Sequence, residues 1–263
     1  MIEENTVITP EIITAVSDAV HQNLPATEQQ ADNALATVVG FFNNVVLYPV
    51  KKANLTFRYK LEAFEDDLKE KTKGIPAKNL QVPSTMIAGP ILEALRYTYD
   101  EAELREMYEN LLASSMDTRR ANQAVPSYIE AIRQMTPLDA KVLELIVDRH
   151  NVVAKRVHFR GKNGVYFPSA MPYYFEENFL RLGDPFDISA SFSNLIRLGL
   201  IKATEIELTD NDHVTIYDHS YIHHQIERYQ PNEILIVIEP NGVCLWLDDY
   251  GKHFVRTCLA KGV

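Results

Sequence analysis

The sequence has few cysteines and no excess of positive charge. Its 263 residues include two cysteines, Cys244 and Cys258, which excludes a disulfide-stapled fold and fits a reducing compartment. The formal net charge is −10, whereas a protein that binds nucleic acid over its whole surface needs an excess of lysine and arginine. Residues 1–5 lack the basic and apolar segments of a signal peptide. We therefore expect a cytoplasmic protein.

The motifs of familiar enzymes are also missing. The glycine-bearing stretch 161–164 is too short for a phosphate-binding loop and lacks the following Lys-Ser or Lys-Thr. No Gly-Xaa-Ser-Xaa-Gly nucleophile motif occurs. We therefore predict no catalytic residue and no cofactor and lean against an enzyme, although an active site assembled from residues far apart in sequence stays open.

A cluster of histidines raises the question of a metal site. His219 and His223 are four residues apart and would share one face of a helix, as two zinc ligands do. The residues between them, Ser-Tyr-Ile, depart from the His-Glu-Xaa-Xaa-His pattern. We interpret this stretch as a polar surface segment, with a metal site at His219 and His223 as the alternative.

One apolar segment complicates the expectation of a water-soluble chain. Residues 34–50 contain no charged residue and are followed by two lysines, but Asn43 and Asn44 lie at the centre and Pro49 near the end. A membrane-spanning helix needs about 20 predominantly apolar residues. We interpret the segment as a buried core helix, with a membrane-acting helix as the alternative.

The pattern of apolar residues changes near Arg149. Before it, helical spacing predicts helices over roughly 53–73, 84–99 and 126–134 and another that begins at Thr136-Pro137. Pro90 is expected to end or kink its helix, and Asp100 with Glu103 is expected to form a capping box.

Short strands and turns predominate after Arg149. Strands are predicted on either side of 161–164, and hairpins around 209–212 and around Pro240-Asn241-Gly242. Helices are predicted near 188–198 and 248–260. The fold class is therefore α+β and mostly α, with a helical part followed by a mixed part.

The most basic stretch of the chain lies near Arg149, where the predicted helices give way to predicted strands. It comprises Arg149, Lys155, Arg156, Arg160 and Lys162. We predict that this basic series binds a partner. Neighbouring residues of a strand point to opposite faces, so the series does not form one continuous stripe. Lysines that protect a sheet edge from pairing are the alternative interpretation.

Several segments from residue 82 onward resemble a known family. They are Gly-Pro-Ile-Leu-Glu-Ala-Leu-Arg-Tyr at 89–97, Glu-Leu-Arg-Glu-Met-Tyr-Glu-Asn-Leu-Leu-Ala at 103–113, Val-Pro-Ser-Tyr-Ile-Glu-Ala-Ile at 125–132, Met-Thr-Pro-Leu-Asp-Ala-Lys-Val-Leu at 135–143, Asn-Leu-Ile-Arg-Leu-Gly-Leu-Ile at 194–201 and Tyr-Gly-Lys-His-Phe-Val-Arg-Thr-Cys at 250–258. Together they resemble the Abi-alpha (abortive infection alpha) family of bacteria and their mobile elements. The resemblance implies defence against phage by limiting the growth of infected cells, and it implies no particular reaction.

The end of the chain is also similar to the end of many winged-helix domains. A helix that finishes in Leu-Gly-Leu-Ile is followed by strands and a Gly-Xaa-Xaa-Phe helix. The long stretches 152–186 and 209–230 depart from a compact winged helix. We therefore predict a helical domain over 1–135 and a winged-helix-like α+β domain with insertions over 136–263.

Three hypotheses of function follow. The first is an antiphage defence protein that acts by binding a protein, a phage component or a ligand. The second is a toxic effector that acts on the membrane through residues 34–50, and the third is a winged-helix DNA-binding regulator. Nucleic acid and membrane are the less favoured partners, and a homo-oligomer is left open.

Overall fold

The computed structural model describes residues 55–161, 166–174, 181–207 and 234–260, together with Gly164 and Phe179. The chain forms two compact units. The first extends to Gln134 and includes Thr257–Ala260, and the second runs from Met135 to Arg256. The apolar segment 34–50 lies outside the described residues. The division into domains at 135/136 stays a prediction.

The first unit is helical. Its α-helices are α1 (Leu55–Thr72), α2 (Thr85–Thr98), α3 (Ala102–Ser115) and α4 (Pro126–Arg133), with 3-10 turns at Ala77–Asn79 and Ala121–Gln123. Across the described ranges, no helix is long and apolar enough to cross a bilayer.

Helix α3 is the central helix of this unit. It packs against α1, α2 and α4, and it is buried continuously from Met107 to Ser115. Apart from Glu109 this stretch carries no charge, as is typical of a helix that is buried on every side. Two of its polar side chains are satisfied by the end of the chain, because Asn110 Nδ2 donates to Cys258 O at 2.8 Å and Ser114 Oγ to Thr257 O at 3.2 Å.

Helix α2 continues through Pro90, so Pro90 does not end the helix, and the kink expected as the alternative stays a prediction. The helix begins at Thr85, with Ser84 Oγ accepting from Met86 N, and continues to Thr98. Pro90 has no N–H to donate to the carbonyl of Met86. Because Met86 is 67% exposed, water can hydrate that carbonyl and the helix tolerates the loss.

The predicted capping box at the start of α3 is also wrong. The residue that caps α3 is Glu101, whose side chain makes no capping hydrogen bond. The Asp100 carboxylate is instead ion-paired with Lys60 of α1. A tertiary ion pair has thus replaced the local cap that the sequence pattern favours.

The second unit combines helices with one antiparallel sheet. Its elements are α5 (Pro137–Arg149), β1 (Asn151–Gly161), β2 (Tyr166–Tyr174), α6 (Pro185–Arg197), β3 (Ile201–Ile206), β4 (Ile234–Leu247) and α7 (Asp249–Phe254), and a π-helical segment, Val255–Leu259, follows α7. The described strands form a four-stranded sheet in the order β2-β1-β4-β3. The α+β, mostly α class is therefore confirmed.

The core of this unit lies between the sheet and two helices. Val152 of β1 pairs with Leu245 of β4, and both are at most 1% exposed. Helices α5 and α6 pack against each other and against the strands.

Strand β4 is continuous, so the hairpin predicted around Pro240-Asn241-Gly242 is wrong. Val157 of β1 pairs with Ile238 and Lys155 pairs with Gly242, which leaves residues 239–241 opposite Arg156 alone. A bulge of this kind accommodates a proline, which cannot donate to the ladder. The second strand of the hairpin predicted around 209–212 lies outside the described residues, and β3 pairs with β4 instead.

The predicted start of α5 is confirmed, and it is joined to α6. Thr136 Oγ1 accepts from Asp139 N at 3.2 Å, and Asp139 Oδ2 accepts from Thr136 N at 2.7 Å, which completes a capping box. The same Asp139 Oδ2 accepts from Asn194 Nδ2 of α6 at 3.0 Å. Since Asp139 is 2% exposed, these donors compensate its burial.

Gly251 allows α7 to approach the end of α6. A Cβ at this position would lie 1.8 Å from Leu200 O, an oxygen that accepts a hydrogen bond from Asp248 N at 3.2 Å. Gly199, at a φ of 72°, ends α6 in the left-handed conformation that favours glycine. The segments 194–201 and 250–258 thus meet at a backbone contact.

Replacing Gly251 by alanine should destabilise the second unit. The new methyl group meets backbone rather than a movable side chain, so we expect a loss of roughly 2–3 kcal/mol in the free energy of unfolding. Urea denaturation of the two proteins measures it. Gly74→Ala is the matched control, because no atom lies within 4 Å of its Cβ position; equal effects of the two substitutions would contradict the prediction.

Candidate functional site

A charged cleft in the first unit contains a buried carboxylate. The cleft measures about 310 Å³ and is lined by Asp67, Glu70, Lys71, Ala102, Arg105, Glu106 and Glu109. We call it the Glu109 cleft. Its lining comes from α1 and from α3, which pack against each other. Glu109 is only 3% exposed, whereas most of the other acids of the cleft are exposed.

Glu109 has cations nearby but lacks hydrogen bonds. Arg105 Nε lies 3.5 Å from Glu109 Oε1, and Lys71 Nζ lies 3.8 Å from Oε2. Hydrogen bonds between nitrogen and oxygen are normally 2.7–3.2 Å long, roughly. Within the described part of the chain, Oε1 has no hydrogen-bond donor. The carboxylate is therefore buried beside positive charge without being bonded to it.

The two cations are held by other partners. Lys71 Nζ lies 3.4 Å from Glu106 Oε1. Arg105 Nη1 donates to Tyr99 O at 2.6 Å, and the Arg105 guanidinium carbon lies 4.9 Å from the centroid of the Tyr99 ring. These contacts explain why neither cation closes on Glu109.

The tyrosines Tyr97, Tyr99 and Tyr108 of this unit differ in their exposure. Tyr108 is completely buried, Tyr99 is half-buried and Tyr97 is 78% exposed. Tyr99 also has Lys60 Nζ 5.3 Å from its ring centroid. The ring at the end of α2 is thus a cation-binding surface beside the cleft.

Burial brings the titration of Glu109 close to neutral pH. Desolvation and then the negative charge of Asp67 raise the pKa of the Glu109 carboxyl, Lys71 and Arg105 oppose the rise, and the result is a pKa of about 7. The neutral form can donate a hydrogen bond, and the ionised form can accept one from a cation. A buried acid with a perturbed pKa in a cleft is a typical mark of a functional site.

The basic series predicted from the sequence is spread along the second unit. Arg149 ends α5 and Arg160 lies near the end of β1, and both are exposed. Lys155 and Arg156 are half-buried between them. At about 3.3 Å per residue, a strand of this length separates the two ends by roughly 30 Å. The described members of the series are therefore spread along α5 and β1.

One member of the series already has an acidic partner. Arg156 of β1 is ion-paired with Glu205 of β3. Lys162 lies outside the described residues. The partner-binding role of the series stays a prediction.

The residues considered for metal and thiol chemistry are two histidines and two cysteines. His219 and His223 lie outside the described residues, and within the residues that are described no group of three or more His, Cys, Asp or Glu side chains converges as a metal site. Burial raises the pKa of the thiols of Cys244 and Cys258. A raised pKa keeps a thiol protonated, and the nucleophile is the thiolate.

The fold and the cleft define an α+β protein with a buried acid in its helical unit. Comparison with protein families adds the identity of the class: the model of the family described as abortive infection alpha matches residues 56–258, most of the chain. The protein belongs to this family. Searches of curated proteins and of solved structures gave no significant match. The matched range includes both helices that line the Glu109 cleft.

Sequence reasoning did not single out Glu109. Glu109 lies in a helix that the sequence identifies by its leucines. Its neighbours Asp67 and Lys71 lie on another helix, so no local pattern connects the three residues. One signal was present, since residues 110–116 carry no charge. Glu109 is the last charged residue before a stretch that must be buried all round, which marks it as the acid at the edge of the core.

Stability should fall with rising pH because of Glu109. Its folded pKa of about 7 exceeds the usual 4.5, so its contribution is fully present below about pH 4.5 and is lost as pH rises through about 7. The difference between these two pKa values corresponds to about 3 kcal/mol in the free energy of unfolding. The free energy of unfolding should therefore fall between pH 5 and pH 8, and in Glu109→Gln we expect this fall to be smaller by roughly 2–3 kcal/mol.

Urea denaturation at both pH values provides the measurement. Glu101→Gln is the control, because Glu101 is an exposed acid at the start of the same helix and does not line the cleft. The control should keep the pH dependence of the unsubstituted protein. An unchanged pH dependence in Glu109→Gln would show that this carboxyl titrates normally.

Proposed function

We propose that this protein acts in abortive-infection defence against phage by binding a partner or ligand in the Glu109 cleft. Membership of the family supports the role in defence. The observation that carries the binding site is the Glu109 carboxylate, which is 3% exposed and has no donor for Oε1 among the described residues.

The energetic cost of this carboxylate supports a functional role. Burying an acid without hydrogen bonds destabilises the folded state, and a neutral side chain of similar size would avoid that loss. Unfavourable groups of this kind concentrate at binding and catalytic sites, where stability and function oppose each other. Glu109 is therefore better explained by what enters the cleft than by packing.

The composition of the cleft favours binding over group transfer. The described lining consists of four acids, one lysine, one arginine and one alanine. It includes no hydroxyl, thiol or imidazole that would act as a nucleophile or as its base. An acid flanked by two cations is suited to recognising a charged group.

DNA binding by the second unit is the second candidate. The succession of α5, β1, α6, β3 and β4, with β4 between β1 and β3 in the sheet, supports the winged-helix likeness. The charge of α6 does not favour DNA binding. Its exposed charged residues, Asp187 and Arg197, have opposite signs, and duplex binding needs several cations near the phosphates.

The membrane hypothesis depends on residues 34–50, which lie outside the described part of the chain. It stays a prediction that fractionation of cells before and during infection tests.

Glu109→Gln should abolish protection from phage. We expect cells that produce the unsubstituted protein to reduce plaque formation by a sensitive phage, and the Glu109→Gln variant to lose at least tenfold of that protection, roughly the effect of losing one buried charged contact. Because this substitution should not lower stability near neutral pH, unfolding does not account for the loss. Soluble protein levels are measured alongside.

Glu101→Gln is again the control and should protect fully. Full protection from phage by the Glu109→Gln variant would contradict a role of the cleft in defence.

Duplex DNA should not be bound specifically. In a mobility-shift assay at physiological salt, we expect no stable complex with fragments of phage or host DNA, because α6 lacks a series of exposed cations. A DNA complex that Arg197→Glu abolishes would make DNA binding better supported than ligand binding in the Glu109 cleft.

A further inference from the structure

We propose that the Glu109 cleft binds an alkylammonium group, as carried by a free amine or by a lysine side chain. This inference rests on the proposed function of the cleft as a binding site, and it adds the chemical class of the ligand.

The charge of the cleft favours a cation. The lining has four carboxyl groups and two cationic groups, so its formal charge with every acid ionised is 2 − 4 = −2. Acids in excess within a concave site attract positive charge. Asp67 and Glu70 at its exposed side are the first groups that an arriving cation meets.

The positive groups of the cleft are already engaged. Lys71 is paired with Glu106, and Arg105 is bonded to the Tyr99 carbonyl and lies over its ring. An anionic ligand would have to draw both away from these partners. Glu109 Oε1 accepts no hydrogen bond from the described residues. The atom is buried and has Arg105 Nε 3.5 Å away, so an ammonium group gains this acceptor only by taking the place of Arg105.

An ammonium group matches this acceptor. It carries three donors on a compact charge, so it can satisfy the oxygen that the described residues leave without a hydrogen bond. A cleft of about 310 Å³ is larger than a single ion needs, and Ala102 supplies an apolar wall for an alkyl chain. A metal ion fits less well, since the described residues form no cluster of three or more metal-ligating side chains.

Binding of an ammonium group should release a proton. The charged and titratable groups that act on Glu109 are Asp67 and Lys71 of α1, Arg105 and Glu106 of α3, and Tyr99 at the end of α2. With a pKa of about 7, the Glu109 carboxyl is mostly neutral at pH 6 and mostly ionised at pH 8. Because the ammonium group binds the ionised form, its affinity should rise about tenfold between these pH values.

Calorimetric titration of the full chain tests this proposal. The probes are spermidine as a free amine, N-acetyl-lysine amide as a lysine side chain, and inorganic phosphate as an anion. We expect at least one amine to bind about tenfold more tightly at pH 8 than at pH 6 and to release a proton at pH 6. Tighter binding of spermidine indicates a free amine as the natural ligand, and equal or tighter binding of the lysine amide indicates a partner protein.

Substitutions locate the binding. Glu109→Gln should weaken amine binding at least tenfold at pH 8, about the loss expected for one charged hydrogen bond, and should abolish its pH dependence. Glu101→Gln should change neither. Binding of phosphate without binding of either amine overturns the proposal, and so does amine binding that Glu109→Gln leaves unchanged.

The results also separate this inference from the proposed function. If neither amine binds but Glu109→Gln loses protection from phage, the ligand class is wrong and the cleft remains the working site. If an amine binds as expected but Glu109→Gln protects fully, the ligand class is right and the role of the cleft in defence is wrong.

Discussion

The first unit depends on the burial of α3 from Met107 to Ser115. Three helices and the end of the chain surround this helix, so each polar group on it has to find a partner inside the protein. Asn110 and Ser114 find one in the carbonyls of Cys258 and Thr257. Glu109 has none for Oε1 among the described residues. Among the described residues, the same burial that stabilises the unit therefore leaves two polar atoms of α3 without a hydrogen bond, Glu109 Oε1 at the cleft and the Tyr108 hydroxyl oxygen.

The second unit is organised by two polar and backbone contacts rather than by a site. Asp139 caps α5 and holds α6 through Asn194, and Gly251 brings α7 onto the backbone of Leu200. These residues belong to segments by which the family resemblance is recognised. Their role is packing, because each occupies a position where another side chain would clash or would leave a buried group unpaired. The family is thus recognised by its scaffold in this unit, while the candidate site lies in the other.

Local signals in the sequence predicted local structure well. The Thr136 cap, the helix over 126–134 and the glycine that ends α6 each depend on residues a few positions apart, and each is present. Predictions failed where a distant partner decides the outcome. Asp100 pairs with Lys60 instead of capping α3, and β1 supplies a partner for both halves of β4, so that Pro240-Asn241-Gly242 forms a bulge instead of a turn. The Glu109 cleft belongs to the same category, since its lining comes from two helices more than thirty positions apart in sequence.

The position of Glu109 on the central helix links occupancy of the cleft to the stability of the whole unit. A ligand that bonds the ionised carboxylate offsets the cost of its burial, and a ligand that binds only the folded state stabilises that state by an amount set by its concentration and affinity. Since α3 contacts the other described α-helices of the unit, the gain is not confined to the cleft. On the proposed function, binding or release of the ligand would change the stability of the whole helical unit without a separate signalling element.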